Sequence, residues 1–378
     1  MLEQTHTARL KFRSGNQLIA EGAVAAGCRF FAGYPITPAS GIYKGMIDLL
    51  QARGDVAMGA PDEISALAYC VGASMRGFKA MTATSGPGWA LMIETVQYAL
   101  MTETPVVIAL VQRLGPSTGS ATQGAQGDIL LAEFCTSGGY TIPILCPSTP
   151  AECYELTVRA FEWAEKLRSP VLVLSDKEVG MTSESVNYSE FEEVVPSSRV
   201  MSTAKGSARM YDFLAPGEVP EFLAVGSDGK VTATGSAHNK MGELKKNDSE
   251  TLDVLKHLEA KIEARRDELE LATFDGEEGA GTLIISFGIT ARAMREAVKS
   301  ARRKGKKVSS LAVQSLFPVP ERKIREACKG ISRVVIAEEN LKGQYRGVLA
   351  PLLKEKSVVG VNKIGTMITP TEIEEHIV

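Results

Sequence analysis

No basic excess marks this chain: its 378 residues carry a formal net charge of −3, where a dedicated nucleic-acid binder would show a positive balance. Apolar runs are short. Stretches such as PVVIALV at 105–111 fall far below the roughly 18 residues needed to span a bilayer. The opening residues, MLEQTHTARLKFRSGNQ, are charged and lack an apolar centre, so no secretory signal is expected and the cytoplasm is the default address. The six cysteines (Cys28, Cys70, Cys135, Cys146, Cys153, Cys328) include no C-x-x-C pair, which speaks against a zinc site, an iron–sulfur cluster or a redox dithiol carried by this chain. Buried, reduced thiols are expected instead. The four histidines (His6, His238, His257, His376) form no H-E-x-x-H, so no metal site is expected here. Neither G-x-G-x-x-G nor G-x-x-x-x-G-K-[ST] occurs, and the nearest approach, GPGWAL at 86–91, lacks the third glycine.

What is present is globular. Hydrophobic residues at 44% and charged residues at 23% match ordinary folded proteins. At roughly 150 residues per domain the length implies two or three domains. From Ser14 to about Asp176, glycine-punctuated helical patterns alternate with short apolar strands, as in a parallel sheet with helices on both faces. Leu18, Ile19, Gly22, Ala23 and Ala26 share a helical face behind Ser14 and Asn16, either of which could cap it. Strands are expected near Arg29–Gly33 and at VAMGA, KAMTATS, PVVIALVQR, TIPILCP and PVLVLSD, with helices between them.

Residues 186–280 carry acidic, serine- and glycine-containing segments and read as a connector. Within it, Leu255, Leu258, Ile262 and Leu269 stripe a charged helix over about 249–272, starting near Asn247 and Asp248. Such a helix is expected to lie solvated on the surface, or else to contact another subunit. From 281 to 378 strand and helix alternate again through TLIISFG, KVSSLAVQSLF, RVVIAEEN and VVGVNKIG, giving a second, smaller α/β domain. The expected division is therefore 1–185, 186–280 and 281–378.

In open α/β sheets ligands gather beyond the carboxyl ends of the strands. Four loops of the first domain fall there: YPITPAS, PDE, TSGPG and QRLGPSTG. Glu63 opens the apolar helix ISALAYCVGASM, where it is either a capping carboxylate, a task Asp62 can already perform, or a functional acid. Arg113 follows a wholly apolar strand, so its guanidinium emerges at the rim of the sheet either in a structural ion pair or ready to hold a carboxylate bidentately. Thr37, Ser85, Ser117 and Thr118 supply hydroxyls at the same rim, each also suited to a plain turn.

Taken together, GYPITPAS, PDEISA, TSGPG and QRLGPSTG resemble the α subunit of the 2-oxoacid:ferredoxin oxidoreductases, particularly the 2-oxoglutarate branch. The likeness covers nearly the whole chain, since SGNQLIAEGAVAAG resembles the family's opening helix and VVIAEENLKGQ its terminal-domain motif. What the resemblance implies is an α/β pyrimidine-binding domain of a thiamine diphosphate site, followed by a smaller transketolase-C-like domain. Glu63 matches the glutamate that bonds the aminopyrimidine ring nitrogen of the cofactor. Thr37 and Arg113 match residues that bind the carboxylate of the 2-oxoacid, Thr118 a further substrate-side hydroxyl, and Pro35, Ser85 and Gly86 border the pyrimidine.

The remainder of such a site is not in this chain. The diphosphate- and Mg2+-binding half carries GDG followed by NN, whereas Gly127-Asp128 is followed by Ile129 and no paired asparagines occur. The resemblance therefore implies a β subunit that supplies that half together with a [4Fe-4S] cluster, in an assembly resembling a dimer of heterodimers. The γ domain that some relatives fuse to the α subunit is expected to be absent, because the pyrimidine-type domain already begins at residue 14, and this leaves room for a separate γ polypeptide. The implied reaction joins a 2-oxoacid to coenzyme A, releases carbon dioxide and passes electrons to ferredoxin. SATQGAQGD at 120–128 offers no basic residue where many 2-oxoglutarate relatives carry one, and Trp89 replaces a smaller aromatic. Branched-chain and aryl 2-oxoacids thus stay open beside 2-oxoglutarate. Two competing readings are the pyrimidine-domain subunit of a lipoyl-linked 2-oxoacid dehydrogenase complex and a non-catalytic α/β ligand-binding scaffold.

Overall fold

The computed structural model describes residues 10–378, so His6 and the first residues of the expected first domain lie outside the described part. Strand β1 (Leu10–Ser14) leads into α1 (Gly15–Ala25), and β2 (Phe30–Gly33), α2 (Ser40–Gln51), β3 (Val56–Gly59), α3 (Glu63–Met75), β4 (Ala80–Thr84), α4 (Gly86–Met101) and β5 (Val106–Gln112) follow in alternation. After a long loop come α5 (Ile129–Glu133), β6 (Ile144–Leu145), α6 (Pro150–Leu167), β7 (Pro170–Asp176), α7 (Lys177–Met181) and β8 (Ser183–Asn187). The middle of the chain holds β9 (Gly206–Ser207), β10 (Gly229–Lys230), α8 (Ser249–Glu263) and α9 (Arg266–Leu269). The last part contains β11 (Ala272–Asp275), β12 (Thr282–Phe287), α10 (Thr290–Arg303), β13 (Val308–Val313), β14 (Ser315–Phe317), α11 (Glu321–Ala327), β15 (Arg333–Glu338), α12 (Gln344–Leu349), β16 (Ser357–Asn362) and α13 (Pro370–Glu374).

The first sheet has seven strands in the order β14-β6-β7-β5-β4-β2-β3, parallel apart from the antiparallel β14. Its central strand shows why the sequence reads as an unbroken apolar run. Val107, Ala109 and Val111 of β5 face the core under α1, α2 and α6, whereas Val106, Ile108 and Leu110 face the core under α3 and α4. A parallel strand covered on both sides needs both sets apolar. At the start of α1 the structure chooses Ser14 as the cap: its hydroxyl accepts the Gln17 N–H and the Gln17 amide returns to the Ser14 backbone. Asn16 is buried instead and donates to the Pro38 carbonyl at 2.9 Å.

The second sheet orders β11-β13-β12-β15-β16. One of its faces, with Leu283, Ile285, Leu311 and Ile336, is continuous with the α3/α4 core of the first sheet, so the two sheets share one apolar interior. The other face packs Ile284, Ala312, Val335 and Ala337 beneath α10 and α13.

Three expectations need correction. The run KVSSLAVQSLF is not one strand: β13 stays in the terminal sheet, and after Gln314 the chain crosses to pair β14 with β6 of the first sheet. The stretch read as connector contributes β11 to the terminal sheet, so sheet membership does not follow a boundary at 281. The charged helix is two helices, and α8 is not a solvated surface helix: Val254, His257, Leu258, Lys261 and Ile262 are buried. Its ionic groups close on the first domain, where Lys261 Nζ reaches Glu103 Oε2 at 2.8 Å and His257 Nε2 reaches the same oxygen at 3.1 Å. A charge pattern along a helix registers its solvated face; Lys261 and His257 point inward because a buried carboxylate meets them. No helix among the described residues is long and apolar enough to cross a membrane.

Candidate functional site

The carboxyl ends of β2, β3, β4, β5 and β7 open on one side of the first sheet, because those strands run parallel. At the end of β3, Asp62 caps α3: its Oδ1 accepts the Ser65 N–H at 2.7 Å, and this bond holds the Asp62 carboxyl below its ordinary range. The neighbouring Glu63 is thereby released from capping. It is 7% exposed and has no hydrogen-bond partner among the described residues. Its carboxylate rests against α4 at Gly88, where an added Cβ would stand 2.6 Å from Glu63 Cγ and 2.8 Å from Oε1. Thr84 Oγ1 would lie nearer still, at 2.2 Å, so the fifth residue of TSGPG has no room for a side chain between Thr84 and Glu63.

At the end of β4, Ser85 is fully buried as the residue preceding α4, and its hydroxyl has no partner. Gly86 and Pro87 open that helix. Gly86 is again filled from outside, with both Asp128 carboxylate oxygens 2.9 Å from where a Cβ would be. An anion beside a helix N-terminus is electrostatically favoured.

At the end of β5, Arg113 is 7% exposed; its Nη1 donates to the Thr37 carbonyl at 2.6 Å, and its Nε is buried without a partner. The expected rim arginine is therefore tied to the YPITPAS loop through backbone and keeps donor capacity to spare. Thr37 and Pro35 themselves are exposed, and Thr118 lies in the exposed turn after Arg113. Next to it, Ser117 adopts a positive φ of 53°.

A cleft of about 420 Å³ lies between these loops and the terminal domain. Of the residues expected to form the site, Gly86 and Arg113 line it, whereas Pro35, Thr37, Glu63, Ser85 and Thr118 do not. Its other walls are Pro87, Ala90, Leu114 and Leu131 on the first domain, with Asn340, Leu341, Gln344 and Ile364 opposite. Asp128 lines it too and was not anticipated from the sequence. Burial pushes its carboxyl up to about 6 against the opposing pull of the Arg113 charge. Oδ2 of Asp128 has no partner.

A buried polar network behind the cleft joins the two sheets. Gln126 exchanges backbone and side-chain bonds with Glu339 (2.7 and 2.9 Å) and donates from Nε2 to Asp176 Oδ2 at 3.0 Å. Asp176 also accepts from Gln112 Nε2 at 3.1 Å and from the Ile289 N–H. Burial raises the Asp176 carboxyl to about 8 and that of Glu339 to about 7, partly offset by these donors for Asp176 and by the Ile368 N–H for Glu339. In the AEENLKGQ segment, Asn340 donates to the Gln126 carbonyl at 3.1 Å and Gln344 to the Gly127 carbonyl at 2.9 Å. The only sequence signal for this network is a density of amides and carboxylates in two loops, because their meeting is set by the packing of one sheet on the other. The six cysteines are all buried and unpaired, and among the described residues no three His, Cys, Asp or Glu side chains cluster as metal ligands.

Comparison with known proteins supplies the setting for this geometry. The family profile described as "Pyruvate flavodoxin/ferredoxin oxidoreductase, thiamine diP-bdg" matches residues 21–252, and "Pyruvate:ferredoxin oxidoreductase core domain II" matches 280–370. The chain is 35% identical over 371 residues to the 2-oxoglutarate synthase subunit KorA of Methanocaldococcus jannaschii, covering 98% of this chain and 99% of that protein. Against the corresponding subunit of Methanothermobacter marburgensis it is 40% identical over 331 residues, covering 87% and 88%. Among solved structures it resembles the 2-oxoglutarate:ferredoxin oxidoreductase of Magnetococcus marinus, determined with 2-oxoglutarate, coenzyme A and succinyl-CoA bound, with a TM-score of 0.91 at 30% identity. That match covers 97% of this chain and 64% of the longer one.

Proposed function

The chain belongs to the pyruvate flavodoxin/ferredoxin oxidoreductase family, with its thiamine-diphosphate-binding domain, and on that premise we propose that it is the α subunit of a 2-oxoglutarate:ferredoxin oxidoreductase. The complex converts 2-oxoglutarate and coenzyme A to succinyl-CoA and carbon dioxide, and two electrons leave for ferredoxin. A partner β subunit holds the diphosphate and Mg2+ half of the cofactor site and a [4Fe-4S] cluster, in a dimer of heterodimers.

The observation that carries this reading is Glu63, a 7% exposed carboxylate without a hydrogen-bond partner among the described residues, at the start of the helix that follows a parallel strand, packed against Gly88 of α4. A largely buried carboxylate whose oxygens bond to no protein group is open to an external donor. An aminopyrimidine ring nitrogen answers that need, since it can share a proton with the carboxylate. The buried, unpartnered Ser85 hydroxyl offers the same face a second polar contact. Thiamine diphosphate supplies the nucleophilic carbon that this chemistry requires. Arg113, with its Nε free and its Nη1 braced on the Thr37 carbonyl, holds the carboxylate of the 2-oxoacid beside Gly86 in the cleft, and the exposed Pro35, Thr37 and Thr118 lie outside its lining, within reach only of bound molecules that extend beyond it. Apolar walls keep water from the reacting carbon.

The assay is anaerobic reduction of a viologen by the assembled complex given 2-oxoglutarate, coenzyme A and thiamine diphosphate. Turnover that depends on all three is expected, and Glu63→Ala should abolish most of it while the subunits still assemble. Wild-type turnover in the assembled Glu63→Ala complex would overturn the assignment. Among the described residues Arg113 is the one cation lining the cleft, so branched-chain and aryl 2-oxoacids belong in the same panel. Faster turnover of one of those would transfer the proposal to that substrate.

A further inference from the structure

Arg113 and Asp128 line the same cleft as opposite charges, and each keeps a buried atom, Nε and Oδ2, without a partner among the described residues. Neither can swing freely away. Arg113 is braced by its bond to the Thr37 carbonyl. The Asp128 backbone N–H is held by Gln112 Oε1 at 3.1 Å, and its carboxylate is packed against Gly86. We propose that Asp128 is a positioning residue that sets the charge on offer at Arg113, so that the carboxylate of an incoming 2-oxoacid binds together with a proton taken from solvent onto Asp128. This rests on the reading of Arg113 as the carboxylate holder.

Among the described residues, the charge of Arg113 steadies the ionised form of Asp128, whose carboxyl burial raises to about 6. A ligand carboxylate arriving at Arg113 places a second anion on that cation and takes away the stabilisation, so Asp128 becomes a weaker acid still. Of the other charged groups nearby, Glu63 lies against Gly88 two residues along α4, and Asp176 is separated from Asp128 by Gln112, which bonds both. Glu133, on the helix that follows Asp128, is itself raised by burial. None of them supplies a positive charge to replace Arg113. The sign follows by linkage: affinity for the anion rises as pH falls toward about 6 and levels off below it.

The test uses the assembled complex and oxamate, a non-reacting analogue of the 2-oxo carboxylate head. A shift of about one unit in the bound form makes the oxamate dissociation constant rise about fivefold from pH 6 to pH 8. In Asp128→Asn that rise should vanish, with the low-pH affinity kept throughout. Calorimetry of the wild-type complex in two buffers of different ionisation enthalpy should register uptake of roughly half a proton per oxamate at pH 7. No proton uptake, or an unchanged slope in Asp128→Asn, overturns the proposal. Arg113→Met separates the two readings. Unaltered oxamate binding in that variant would sink the assignment of Arg113 itself, whereas lost binding beside an unchanged slope in Asp128→Asn would sink only the role given to Asp128.

Discussion

Gly86 faces the Asp128 carboxylate, and Gly88 faces Thr84 Oγ1 and the Glu63 side chain, in space that a Cβ would need. Gly88→Ala therefore presses on Glu63 from close range. The new methyl would stand 2.2 Å from Thr84 Oγ1 and 2.8 Å from Glu63 Oε1, so both side chains must give way, and a misplacement of about 1 Å is able to cost on the order of a hundredfold where alignment matters. Expected is a fall in kcat of more than about tenfold, read by steady-state kinetics, with subunit assembly unchanged by size-exclusion chromatography. Arg113→Met should act differently, raising KM for the 2-oxoacid by about tenfold to a hundredfold, the 1.4 to 3 kcal/mol of a charge-assisted pair, and leaving thiamine diphosphate affinity as it was. Equal losses for substrate and cofactor would mark Arg113 as structural. That Arg113 emerges at the sheet rim was legible in sequence, since it follows directly on an apolar strand, and it lines the cleft; Glu63 was legible only as the start of a helix. Asp128 was not, because nothing local distinguishes it from a loop aspartate until the QRLGPSTG segment folds back over α4.

Among the elements, α8 departs most from its sequence pattern. Its buried face brings His257 and Lys261 onto Glu103, while Arg168 donates to the carbonyls of Glu103, Met210, Pro220 and Glu221. Burial alone would raise the Glu103 carboxyl, but Lys261 and Arg168 hold it well below the usual carboxylate range. Removing one partner of such a group leaves an uncompensated charge in the interior. Lys261→Met is therefore expected to lower unfolding free energy by about 3 to 5 kcal/mol in a denaturant titration, whereas Lys256→Met on the exposed face of the same helix should change it by less than about 0.5 kcal/mol. Similar losses from both would mean that α8 lies on the surface after all. The alternation of strands and helices was readable from period and punctuation. The crossing of β14 was not, since an apolar run records burial without recording which sheet provides it.

The whole chain is welded by one apolar interior running from α3 and α4 through the terminal sheet, and by the Gln126, Asp176 and Glu339 network at the back of the cleft. The terminal sheet thus helps build the site instead of hanging beside it, which sequence reading missed because amides that meet across two domains leave no spacing signal. GDG and paired asparagines do not occur in the sequence, in keeping with the proposal that a partner subunit holds the diphosphate. The most direct measurement is thiamine diphosphate binding by calorimetry, on the isolated chain and after addition of the partner subunit with Mg2+. The isolated chain is expected to bind no measurable cofactor and the assembled pair about one per heterodimer, in line with a site that exists only once both halves meet. Tight binding and turnover by the chain alone would contradict the account.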